Sequence, residues 1–68
     1  MTAEHTYNET IMAAHEADIC QWLLDEMRFR GVTDHVALSV VTVRRDAADR
    51  RYREMDAQYR ALTAVRER

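Results

Sequence analysis

Apolar residues recur along this chain in two helical patterns that meet at Gly31, the one glycine in a sequence without proline. Placed at 100° per residue, the first segment carries three contiguous apolar stripes. They are Ile11, Trp22 and Phe29; Met12, Ile19 and Leu23; and Cys20, Leu24 and Met27. Together they exceed half the circumference, more than one neighbouring helix can cover, so this helix is expected to pack on at least two sides, as in a bundle. Asp18, Gln21, Asp25 and Arg28 mark its expected solvent side. The pattern predicts a helix over about 9–30. Asn8 or Thr10 would cap its start, and Arg28 and Arg30 would sit at the negative end of its dipole, with Gly31 supplying the left-handed residue beyond.

A second helix is predicted over about 34–66, with Thr33 or Asp34 as its N-cap. From Leu38 a seven-residue repeat places Leu38, Val41, Ala48, Tyr52, Met55, Tyr59 and Leu62 at seam positions, with Arg45 and Arg66 as polar exceptions. Acid-before-arginine pairs at four-residue spacing, Asp46 with Arg50, Asp49 with Arg53 and Asp56 with Arg60, suit an exposed helix and contribute about 0.2 to 0.5 kcal/mol each. Residues 36–43, Val-Ala-Leu-Ser-Val-Val-Thr-Val, are rich in the β-branched side chains that strands prefer. The strand alternative needs the same segment from another copy, because the chain offers no second strand. A further alternative breaks the helix near Arg45, with Asp46 capping a third segment.

Lengths then matter. At 1.5 Å per residue the first helix would span about 33 Å and the second about 50 Å. Folded back about Gly31, the last turns of the second helix, with Tyr59, Leu62 and Val65, would project uncovered. The expected fold is therefore an all-α helical hairpin, a single small helical domain completed as a dimeric bundle or coiled coil. Trp22 and the seam residues Leu38, Val41, Ala48, Tyr52, Met55, Tyr59 and Leu62 are its candidate interface. If the long helix pairs with itself, a parallel arrangement sets Arg44 against Asp49 and Arg51 against Asp56, both attractive. The competing arrangement fills the seam with the first helix of the same chain.

Charge sharpens this picture without naming a partner. All ten basic residues are arginine; residues 1–34 hold seven acids and two arginines, net −5, and residues 35–68 hold five acids and eight arginines, net +3. The two halves should attract each other, or each other's copies. The lone cysteine, Cys20, cannot form an internal bridge and suits a reduced, cytoplasmic setting as a small buried hydrophobe. No apolar run approaches a membrane span, and residues 1–8 lack the basic and apolar parts of a signal peptide.

Candidate chemistry is sparse. His15-Glu16-Ala17-Asp18-Ile19 opens like a zinc-protease motif, but isoleucine stands where the second histidine is required. His5, His15 and His35 fall at no ligand spacing, so neither metal nor cofactor is expected, and no paired nucleophile and base points to an enzyme. His15 and Glu26 fall inside the apolar arc and would need polar partners there. The run Leu38-Ser39-Val40-Val41-Thr42-Val43-Arg44-Arg45-Asp46 resembles the recognition helix of DeoR-type helix-turn-helix regulators. That resemblance implies DNA contacts from Ser39, Thr42, Arg44 and Arg45 in a major groove. It covers nine residues, with Ala37 where the family usually has a turn glycine. The favoured expectation is a protein-binding helical factor, an adaptor, inhibitor or regulator that self-associates, with DNA binding as the alternative.

Overall fold

A computed structural model of the chain describes residues 2–66 as two α-helices, α1 over Ala3–Phe29 and α2 over His35–Arg66. The start of α1 corrects the expected boundary. Thr2, not Asn8 or Thr10, is the N-cap, its hydroxyl accepting the His5 amide at 3.1 Å. Thr6 and Thr10 lie inside the helix, each hydroxyl donating to the carbonyl four residues back, Thr2 at 3.0 Å and Thr6 at 2.8 Å. Both are buried, so these back-bonds satisfy groups that would otherwise be stranded.

Gly31 ends α1 as its position predicts. Its φ is 75°, and the amides of Gly31 and Val32 donate to the carbonyls of Arg28 (3.0 Å) and Met27 (2.9 Å). These are the two bonds of a Schellman cap, which satisfies carbonyls that the last turn leaves open. Three residues later Asp34 caps α2, one carboxylate oxygen accepting the amides of Val36 at 3.0 Å and Ala37 at 3.2 Å.

The β-branched run 36–43 is helical, and α2 continues through Arg45 without a break. No described residue is in a strand, so 36–43 has no ladder to join, and a cap at Asp34 starts the helix ahead of it. Of the three expected pairs along α2, Asp49–Arg53 (3.0 Å) and Asp56–Arg60 (2.9 Å) form. Asp46 instead takes the neighbouring Arg45 at 3.0 Å.

The helices lie antiparallel in a body 52 Å long and about 16 Å thick. With 27 and 32 residues they span about 40 and 48 Å, so the mismatch expected from the sequence is roughly halved. Three cross-helix contacts fix the alignment: Tyr7 with Tyr59 (ring centroids 5.5 Å apart), Glu9 with Arg51, and Gln21 with Arg45 (3.0 Å). Tyr59 is therefore covered by the early turns of α1 and does not project beyond it. Leu62 is 37% exposed, and the side chains of Val65 and Arg66 lie outside the described residues.

Candidate functional site

Which side of α1 meets α2 decides what is left for function. Residues at alternating three and four spacing, Ala3, Thr6, Thr10, Ala13, Ala17, Cys20, Leu24 and Met27, are all buried or half-buried. Six of these eight are alanine, threonine or cysteine. The seam inside the hairpin is thus built from small side chains, which let a neighbouring helix approach closely. Across it, Leu38, Val41, Tyr52, Met55 and Tyr59 are half-buried and Ala48 is buried. The seam that α2 could have offered another copy is occupied by α1 of the same chain. Gln21, expected on the solvent side, is half-buried and accepts from the Arg45 guanidinium, which resolves the polar exception in that seam. Among the described residues, the buried apolar side chains are Ala13, Cys20, Leu24 and Ala48, of which Leu24 alone is large.

Apart from Leu24 and Met27, most large apolar residues of α1 face the other way. Ile11, Met12, Ile19, Trp22 (63%), Leu23 and Phe29 (88%) are exposed. Met12, His15, Ile19, Trp22, Glu26 and Phe29 again alternate three and four apart, so they form a second seam, about 170° around α1 from the first. On α2, Val36, Val40 and Val43 are exposed as well.

Beside the outer seam an open groove of about 600 Å³ runs past Met12, His15 and Ile19, with Glu9, Glu16 and Arg51 at its edge. A hydrogen bond from Arg51, reinforced by its charge, holds the Glu9 carboxyl below the ordinary carboxylate range; partial desolvation opposes this and the charge of His5 adds slightly to it. The same contact raises Arg51. Glu26 is held at 2.8 Å by Arg30, one turn on.

Nothing matches this chain among protein families, curated proteins or solved structures. Function is therefore read from the surface itself. Among the described residues no three His, Cys, Asp or Glu side chains are grouped to hold a metal ion, and no helix is long and apolar enough to cross a membrane. Of the residues implied by the DNA-binding resemblance, Ser39 and Arg44 are exposed. Thr42 donates its hydroxyl to the Leu38 carbonyl at 2.8 Å, and Arg45 is engaged by Gln21 and Asp46. They lie on one unbroken 32-residue helix running alongside α1, not on a short helix crossing its predecessor.

Trp22 was the one residue of this outer face legible as an interface candidate. Ile11, Met12, Ile19, Leu23 and Phe29 join it once the small-residue seam is seen to occupy the opposite side. The series of alanine, threonine and cysteine at helical spacing was the signal that could have shown this.

Proposed function

We propose that this chain is a small helical protein-protein interaction factor, an adaptor, inhibitor or regulator with no catalysis of its own, working as a homo-oligomer in the reducing cytoplasm. One observation carries the reading: α1 packs inward mainly through small residues and leaves most of its large apolar ones, Ile11, Met12, Ile19, Trp22, Leu23 and Phe29, in water. The surface supports it quantitatively. The hairpin exposes 5443 Å², whereas a compact monomer of 8.0 kDa is expected to expose about 4,450 Å². The excess of about 1,000 Å² resembles what one partner contributes to a standard interface, about 800 Å². Aromatic anchors such as Trp22 and Phe29 are the side chains that dominate binding at such surfaces.

Light scattering over a range of concentrations tests the reading. The expected result is a mass above 8.0 kDa that falls on dilution, and a monomer when Trp22 and Phe29 are both replaced by aspartate. A monomer at every concentration up to about 100 times the micromolar range of ordinary interfaces would remove it.

A further inference from the structure

His15 and Glu26 interrupt an otherwise apolar outer seam, and their positions are not arbitrary with respect to each other. Each lies in a core position of the three-four series Met12, His15, Ile19, Trp22, Glu26, Phe29. Buried against an apolar partner, His15 would lose hydration without gaining a hydrogen bond, and Glu26, which keeps one bond from Arg30 of its own helix, would leave its other carboxylate oxygen without a partner. An arrangement that brings the two together avoids both losses.

We infer that a second copy of this chain covers the outer seam, α1 packed antiparallel on α1, with the two-fold axis between residues 20 and 21 and His15 of each copy against the partner's Glu26. This rests on the reading of the outer face as an interaction surface, and it names what occupies that face. In antiparallel packing each residue at one core position of the repeat meets one at the other. About that axis Met12 meets the partner's Phe29, Ile19 meets the partner's Trp22, and His15 meets the partner's Glu26, each contact occurring twice by symmetry. Apolar meets apolar in every layer but one. That one joins a hydrogen-bond donor to a carboxylate.

Other registers fail on the same two residues. A parallel in-register pair sets Glu26 on the partner's Glu26 and His15 on the partner's His15. Sliding the antiparallel pair by one heptad sets His15 against the partner's Ile19 in one direction, or Glu26 against the partner's Trp22 in the other. The flanks decide little in this choice: Glu9 and the partner's Arg30 lie on the same side but are each held within their own chain, by Arg51 and Glu26, and Asp18 faces the partner's Asp25, which repels. Surface pairs of this kind are of small consequence. A buried polar layer that fixes pairing is a well-attested use of such groups in helical assemblies.

Cysteine pairing reads the register directly. In a Cys20→Ala background, His15→Cys and Glu26→Cys proteins are oxidised separately and as a mixture. The mixture is expected to give one disulfide-linked heterodimer, and each variant alone no link, because within one helix the two positions stand about 16 Å apart. Linking of His15→Cys to itself would show a parallel pair and overturn the inference. A dimer by light scattering with no link in the mixture would also overturn it, leaving the interaction reading standing; a monomer would overturn both. Charge exchange gives a second measurement. His15→Glu is expected to weaken dimerisation about tenfold or more, and His15→Glu with Glu26→Lys to restore it to within about threefold. Failure of the double variant to recover, with its helicity intact, would count against the pairing.

Discussion

Leu24 carries more of this hairpin than any other side chain, being the one large apolar group fully buried between the helices among the described residues. Leu24→Ala is expected to cost about 2 to 5 kcal/mol in urea denaturation, because a side chain as small as Cys20, one turn away on the same face, cannot fill the space. Ala13 fails in the opposite direction. Ala13→Leu forces three extra carbons into a closed seam and should cost about 1 to 3 kcal/mol, whereas Ala14→Leu at the seam's margin should cost less. Glu9 introduces a pH dependence of determined sign. Its carboxyl titrates lower when folded, beside Arg51, than when unfolded, so the contact stabilises above the ordinary carboxylate range. That contribution is lost as pH falls through the lowered folded value. Glu9→Gln should flatten this part of the acid transition followed by circular dichroism, and high salt should flatten it too.

Both ends of α1 and the start of α2 are set by single residues, and these differ in how openly the sequence declared them. Gly31, at φ 75°, sits where a side chain would meet nothing within 4 Å, so substitution is penalised by the backbone alone. Gly31→Ala should lower stability by about 1 kcal/mol in thermal melts, and Gly31→Asn by less, since asparagine tolerates the left-handed region. Gly31, Asp34 and the heptads of α2 were legible because one glycine, one cap and large apolar residues at regular spacing all point the same way. The beginning of α1 was not. Residues 3–10 are Ala-Glu-His-Thr-Tyr-Asn-Glu-Thr, with Tyr7 the one large side chain, and their burial comes from fit against α2, which hydrophobicity does not measure. The same blindness hid the N-terminal part of the inner seam: a pattern weighted by apolar size finds Cys20, Leu24 and Met27 but passes over Ala3, Thr6, Thr10, Ala13 and Ala17, and so cannot tell which of the three stripes faces α2. In the β-branched run, strand preference yields to the hairpin, because such preference is a weak force when there is no neighbouring strand to reward it.

At the scale of the whole molecule, a radius of gyration of 15.5 Å stands against about 11 Å for a compact domain of this length. A single pair of helices with so small an interior is marginal by itself. On the proposed self-association, helicity and assembly should therefore be lost together on dilution, so that circular dichroism and light scattering trace one transition. The small-residue seam has one more consequence. Over Ala3 to Cys20 the alanine, threonine and cysteine of α1 raise no tall ridges, so along that stretch sliding α2 by a heptad meets little steric resistance from α1. Axial alignment then rests on Leu24 and on three latches along the rod: the tilted Tyr7–Tyr59 pair near one end, the Glu9–Arg51 pair, and the Gln21–Arg45 bond nearer the turn. A chain with all three latches removed, kept at a concentration where it stays helical, should sample several offsets, and its amide spectrum is expected to show more peaks than that of the intact protein.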